Sequence, residues 1–244
     1  MDPVAERLLR TRKVVDNDGN EFPLHSFTPK EQGEYLQSLV AATSARVTLE
    51  VGLAYGISTL FICEALQHLA GNRHYVIDPY QHQWKNIGIK NVEEAGYASL
   101  VEFFPEQSYE VLPRLLRDGV KIDFAYIDTT KVFDHVLVDC FFVFRLLRVG
   151  GLFVMDDCTF PGLRKLARML SRDPGVRVHS SFGQSPNRRR VRMAGEFLRR
   201  LPMSKQVFSS RLISTDGELG VNAHCIAFEK ISEDNRNWDW FRDF

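Results

Sequence analysis

From residue 46 onward the chain alternates between short, almost wholly apolar runs and longer segments whose apolar positions recur at helical spacing. The apolar runs Arg46–Val51, His74–Asp78, Leu100–Phe104, Ile122–Asp128 and Gly151–Asp156 read as strands. The segments Ser58–Leu69, Trp84–Ala95, Tyr109–Arg117, Phe133–Leu147 and Pro161–Leu170 read as helices. Strands this apolar must be covered on both faces, and strand–helix alternation implies parallel strands joined by crossovers. The expected fold is therefore α/β: a Rossmann-like, doubly wound, mostly parallel sheet with helices on both faces. His224–Lys230, with Cys-Ile-Ala-Phe at its centre, is the final strand and is expected to run antiparallel.

Outside this rhythm the patterns are weaker. Residues 1–27 are mixed, with Asn17-Asp18-Gly19-Asn20 as a turn. Thr28-Pro29-Lys30-Glu31 reads as a capping box with proline at the first helical position, and predicts a helix through about Ala42. After Arg172, Val176–Ser180 reads as a strand and Asn187–Leu201 as a basic amphipathic stretch. The simplest division is an N-terminal extension with a helix (1–45), the main domain (46–230) and an aromatic tail (231–244).

Composition narrows the function classes. Of 244 residues, 44% are hydrophobic, enough for a sizeable core. Lys+Arg and Asp+Glu both number 31, so no bulk field favours nucleic acid or a membrane. No apolar run approaches the ~20 residues of a membrane span, and the N-terminus lacks a signal peptide's apolar core. Cys63, Cys140, Cys158 and Cys225 lie far apart and mostly within apolar segments, which suggests the reduced, buried thiols of a cytoplasmic protein.

The candidate chemistry begins at Thr48-Leu49-Glu50-Val51-Gly52-Leu53-Ala54-Tyr55-Gly56-Ile57-Ser58, a buried strand, a glycine turn and a helix start. The spacing is G-x-x-x-G, not the G-x-G-x-x-G that cradles a dinucleotide pyrophosphate, which argues against a dinucleotide oxidoreductase. An acid beside a tight glycine turn suits S-adenosylmethionine, which has no phosphate but carries a sulfonium, an amine and a carboxylate. Further acids end other strands: Asp78, Asp128 and the pair Asp156-Asp157. Ligands of such sheets sit past the carboxyl ends of the strands, so a series of acids on that edge is better explained by a site than by capping. Asp78 is placed to accept the hydroxyls of a ribose.

The ordered set Glu50-x-Gly52-x-x-x-Gly56-x-Ser58, Asp78, Gln107–Pro113, Tyr126–Lys131 and Leu147–Asp157 resembles class I S-adenosylmethionine-dependent methyltransferases. Within them it is similar to the catechol O-methyltransferase-like small-molecule branch and its bacterial relatives. The resemblance implies that Glu50 and the turn Gly52, Ala54, Tyr55, Gly56 hold the methionine end of the cofactor. Ser58 would cap the next helix and touch that end, Asp78 would bind ribose, and Ser108 would face the adenine rim. Asp128, Asp156 and Asp157 match positions that hold a divalent cation, and Asp128 also borders the cofactor. Lys131 matches a catalytic lysine that, with Asp128, would serve the acceptor. An all-oxygen site favours Mg²⁺, with Ca²⁺ as the alternative. A bound cation lowers the pKa of an acceptor hydroxyl. The reaction implied is methyl transfer to a small-molecule acceptor at a hydroxyl oxygen. Two departures keep a metal-independent enzyme open: Asp157 stands where the catechol enzyme has asparagine, and Thr129-Thr130-Lys131 stands where bacterial relatives often carry glycine and histidine. Lys131 is equally readable as a solvated lysine at a helix start.

Other residues have plainer readings. His135 reads as a surface histidine rather than a second base. Tyr80 or Trp84 would stack on adenine or staple a helix to the sheet, and His25 and Phe27 are weak candidates for a cofactor lid. Arg188-Arg189-Arg190-Val191-Arg192 and Arg199-Arg200 would serve a nucleic-acid-binding module. They lack interleaved aromatics and read better as a solvated helix face or as a pocket insertion for an anionic acceptor. Trp238, Trp240, Phe241 and Phe244 are expected to dock on the domain or on a second subunit, which would make a homodimer.

Overall fold

The computed structural model describes residues 1–68, 71–184 and 214–240. The element order is α1 (Pro3–Thr11), β1 (Lys13–Val15), β2 (Glu21–Pro23), α2 (Lys30–Ala42), β3 (Val47–Val51), α3 (Ile57–Leu66), β4 (Arg73–Ile77), α4 (Ile87–Glu94) and β5 (Val101–Phe104). It continues with α5 (Ser108–Arg117), β6 (Ile122–Ile127), α6 (Phe133–Leu146), β7 (Leu147–Met155), α7 (Pro161–Leu170), β8 (Val176–Gln184) and β9 (Ala223–Lys230).

The main sheet has seven strands among the described residues, in the order β5-β4-β3-β6-β7-β9-β8. The first five are mutually parallel. β9 enters antiparallel between β7 and β8, as expected of the last strand. The chain winds outward from β3 through β4 to β5, then returns to β6 beside β3 and winds the other way. The switch point therefore lies between β3 and β6, and a ligand crevice opens there at the carboxyl ends.

Side-chain alternation explains the two-sided core. Leu49, Ile127, Phe153 and Met155 pack on one face with Val111, Val143 and Leu166 from α5, α6 and α7. Phe124, Tyr126, Leu152 and Val154 pack on the other with Leu36 of α2 and Ile62 and Leu66 of α3. All four cysteines are buried and unpaired. Among the described residues no helix is long and apolar enough to cross a membrane.

Several local expectations change. The first 27 residues hold a helix and a two-stranded hairpin closed by the Asn17–Asn20 turn, where the sequence showed only mixed character. α1 forms because Asp2 caps it, accepting from the backbone N–H of Val4 and Ala5. The Thr28 capping box does not form: Pro29 itself occupies the N-cap of α2, which has no side-chain cap. Leu147 begins β7 rather than ending α6. α4 starts at Ile87, not Trp84, because Lys85 and Asn86 adopt left-handed φ values of 54° and 56°. In the tail, Trp240 lies against the Arg236 guanidinium and borders a groove with Phe144, whereas Trp238 is 98% exposed. The arginine block at 188–200, Phe241 and Phe244 lie outside the described residues.

Candidate functional site

A cavity of about 520 Å³ opens at the switch point. One wall is the turn Gly52–Ser58 after β3. The opposite wall holds Asp128 and Lys131 after β6, Asp156 and Asp157 after β7, and His224 on β9. The N-terminal segment from His25 to Gln32 closes a third side.

The glycine turn must be glycine at its first position. Gly52 has φ +100°, and a Cβ there would lie 1.9 Å from the carbonyl oxygen of Asp128. The turn after β3 and the end of β6 therefore touch backbone to backbone across the switch point.

Behind the turn, Glu50 is fully buried and does not line the cavity. It accepts hydrogen bonds from the hydroxyls of Ser58 and Thr59, and His74 Nε2 lies 3.2 Å from its Oε2. Its route to a ligand is Ser58, which does line the cavity. Ser58 is not the helix cap that the sequence suggested; Gly56 holds that position, and the Ser58 hydroxyl is directed to Glu50.

Asp78 is likewise turned inward. Its Oδ2 accepts from the backbone N–H of Leu53 (3.1 Å) and Ala54 (3.0 Å) and from Gln81 Nε2 (2.9 Å), and its Oδ1 from Tyr80 N (2.8 Å). A carboxylate offers about four acceptor positions. Asp78 thus staples the glycine turn to the end of β4. Ser108 starts α5 outside the cavity, beside Asp139, which is 1% exposed and whose two oxygens, among the described residues, have no well-aligned hydrogen-bond partner. Burial pushes the Asp139 carboxyl up to about 6, with Ser108 and His135 pulling against that shift.

The acid wall departs from the expected three-aspartate centre. Lys131 Nζ lies 3.0 Å from Asp128 Oδ1 and contacts Asp157 Oδ2, so an ammonium joins two of the three acids. Desolvation pulls the Lys131 pKa down, but the two carboxylates outweigh it and the net direction is up. A lysine base needs the opposite shift, and in this arrangement Lys131 is a counter-ion. Burial and the neighbouring Asp156 raise Asp128 to about 6, against the pull of Lys131.

Asp156 is held from behind. Its Oδ2 accepts from Tyr126 Oη (2.6 Å) and Gln32 Nε2 (2.7 Å), and its Oδ1 from the backbone N–H of Asp157 (2.7 Å). Asp157 sits at φ 55°, a left-handed conformation that short polar side chains tolerate. His224 Nε2 lies 3.3 Å from Asp156 Oδ1 and 3.7 Å from Asp157 Oδ1. Among the described residues, Asp156, Asp157 and His224 offer ligand atoms within 4.8 Å of one another, and Asp128 is not of that group. Two carboxylates and an imidazole fit a divalent cation, and the nitrogen donor shifts the preference from Mg²⁺ or Ca²⁺ toward Mn²⁺ and its transition-metal neighbours.

Sequence reading missed Gln32, Tyr126 and His224. Gln32 had a signal: it is a polar residue on the stripe with Leu36, Leu39 and Val40 that α2 buries. His224 had none, because only the antiparallel pairing of β9 with β7 brings it to Asp156. His25 and Phe27 line the cavity. Trp84 stacks on His25 at 5.4 Å and lies edge-on to Tyr55 at 5.0 Å, which ties the N-terminal segment to the glycine turn. His135 is exposed beside Tyr109, as the plain reading had it.

A family described as a methyltransferase domain matches residues 49–158, from β3 to just past β7. A catechol O-methyltransferase of Niastella koreensis is 29% identical over 66% of this chain and 70% of its own length. A flavonoid 3',5'-methyltransferase of Vitis vinifera is 26% identical over 64% of this chain and 74% of its own length. The crystal structure of an O-methyltransferase from Bacillus cereus in complex with SAH shares the fold, with TM-score 0.60 and 22% identity over 72% of this chain and 82% of that one. Residues 49–158 thus match a methyltransferase domain, around the switch-point glycine turn and the strand-end acids, and the chain is similar to the catechol O-methyltransferases.

Proposed function

We propose that the protein methylates a hydroxyl oxygen of a small-molecule acceptor, with a divalent cation held by Asp156, Asp157 and His224. The observation that carries this reading is the shared cavity: the Gly52–Ser58 turn and the acid cluster face each other across it. The named activities of the catechol and flavonoid relatives support oxygen as the acceptor atom.

S-adenosylmethionine supplies an activated methyl group on a sulfonium, so positioning carries much of the rate. The chain's contribution on that side is the turn. Asp78 fixes its N–H groups, Gly52 lets it approach β6, and Ser58, backed by Glu50, presents a hydroxyl oxygen to the methionine end. A divalent cation, when bound, lowers the pKa of an acceptor hydroxyl. On that side Asp156 is fixed by Gln32 and Tyr126, and His224 adds an imidazole. Asp128 holds the Lys131 ammonium at the wall of the same cavity. His25 and Phe27 form an apolar side wall for a planar acceptor.

A second reading has its own observation. The Lys131 ammonium already joins Asp128 and Asp157, and a fixed positive charge there can stabilise a phenolate without a metal ion.

Calorimetric titration with S-adenosylhomocysteine tests the cofactor. Transfer of labelled methyl groups to a panel of phenols, with chelator, Mg²⁺ or Mn²⁺, tests the rest. The first reading expects saturable cofactor binding and turnover that chelator abolishes and Mn²⁺ restores. Full turnover in excess chelator selects the lysine reading, and absence of cofactor binding sinks both.

A further inference from the structure

The buried hydrogen bonds behind the acid wall converge on a residue outside the matched methyltransferase domain. Gln32 lies on α2 and is 2% exposed. Its Nε2 donates one hydrogen to Asp156 Oδ2 at 2.7 Å and the other to Tyr126 Oη at 2.9 Å. Tyr126 Oη in turn donates to the same Asp156 oxygen at 2.6 Å. The three groups form a closed ring with one donor direction. Tyr126 is fully buried, and its hydroxyl is directed at Asp156 as a donor. Asp156 Oδ2 therefore has both acceptor positions filled from behind. Oδ1 is left as the oxygen that meets the cavity, with the Asp157 N–H and His224 beside it.

We propose that Gln32 is a positioning residue: it fixes the Asp156 carboxylate so that Oδ1 alone serves the site, and it thereby makes α2 part of the active centre. Without Gln32, Oδ2 would keep only the Tyr126 donor and Oδ1 only the Asp157 N–H, and the second acceptor position of Oδ2 would be open. The Gln32 amide, with two N–H bonds at one nitrogen, reaches the phenol oxygen and the carboxylate oxygen together, which leucine cannot do. The helix is seated for the purpose. Gly33, the next residue, lies so close to α3 that an added Cβ would meet the Phe61 ring at 2.3 Å. That approach brings Gln32 between β6 and β7. The ring is also distinct from a plain core contact, because Gln32 lines the cavity as well.

The inference rests on the cation reading above, and the test separates the two. In the full chain, Mn²⁺ binding, S-adenosylhomocysteine binding, and kcat and KM for methyl transfer are measured for wild type, Gln32→Leu, Tyr126→Phe and the double variant. Groups that orient a metal ligand typically matter about 10–100-fold, so Gln32→Leu is expected to lower Mn²⁺ affinity and kcat by about that factor. S-adenosylhomocysteine affinity should stay within about twofold, a separation that loss of fold would not produce. Tyr126→Phe keeps the ring in the core and should act in the same direction. Because both donors serve one oxygen, the double variant should lose less than the product of the two single effects. Wild-type Mn²⁺ affinity and kcat in Gln32→Leu, or strict additivity in the double variant, overturns the proposal. Absence of Mn²⁺ binding in the wild type removes the cation reading instead, and kcat then still decides the role of Gln32.

Discussion

The two walls of the cavity are built by opposite routes. The cofactor wall is local: Glu50, Gly52, Ser58 and Thr59 lie within one strand–turn–helix, and only Asp78 and His74 come from the next strand. Its carboxylates are buried and hydrogen-bonded, and what the wall turns to the cavity is backbone and Ser58. The acid wall collects Gln32, Tyr126, Asp128, Lys131, Asp156, Asp157 and His224 from four elements and their following loops. Its charges face the cavity and neutralise one another. The first wall is therefore part of the folding unit, and the second is an assembly that folding leaves adjustable. Binding and stability should be coupled in one and separable in the other.

The largest test strikes the point where the walls meet. Gly52→Ala places a methyl group against the Asp128 carbonyl at a φ that L-residues avoid. It should weaken S-adenosylhomocysteine binding by about 1,000-fold, roughly 4 kcal/mol, as read by calorimetry. Near-normal binding would mean that the turn can move independently of β6, which would dissolve the distinction between the walls.

A smaller effect should come from outside both. The Asp139 carboxyl titrates near 6 in the folded chain against 3.8 in its absence. The folded state then holds the extra proton between those values, so stability is highest at low pH and falls as pH rises through about 6. The full effect is up to about 3 kcal/mol for a shift of this size. Asp139→Asn should flatten that slope in urea melts between pH 4 and 7 and raise stability at pH 8. Asp128 shifts the same way and leaves a residual slope. An unchanged slope would assign the whole pH dependence to the acid wall.

Next, Glu50→Gln exchanges an acceptor of three buried donors for an amide that must point one N–H group at a donor. The expected loss is about 1–3 kcal/mol in denaturant melts, with weaker cofactor binding in step. Loss of binding without loss of stability would contradict the coupling claimed for the cofactor wall. Smallest is Lys131→Met, which removes the ammonium between Asp128 and Asp157. Melting should barely change, while Mn²⁺ affinity rises about tenfold as the competing charge disappears. A large stability loss with no gain in Mn²⁺ affinity would make the acid wall a folding element like the other.

The sequence showed these walls unequally for the same reason. A strand, a glycine turn and a helix start lie within a dozen consecutive residues, so the turn was legible as a ligand loop. Almost wholly apolar runs and the strand–helix rhythm gave the sheet. Acids at strand ends gave Asp78, Asp128, Asp156 and Asp157. What one dimension does not contain is direction. Glu50 and Asp78 read as ligand-facing, yet they turn inward to accept hydrogen bonds from the N–H and O–H groups of the turn and α3. Lys131 read as a candidate base, and only its position between two carboxylates reverses the sign of its pKa shift.

By itself the sequence determined the doubly wound sheet, the switch-point glycine turn and the list of acids available at its edge, because those follow from local periodicity and backbone geometry. Tertiary structure alone decided which acids share a centre and what faces them. Gln32 and His224 stand 192 positions apart in the chain, and nothing local connects them. They meet Asp156 because α2 packs closely over α3 and because β9 runs antiparallel beside β7. Side-chain direction and long-range pairing set the chemistry of this site, and both are properties of the packed chain.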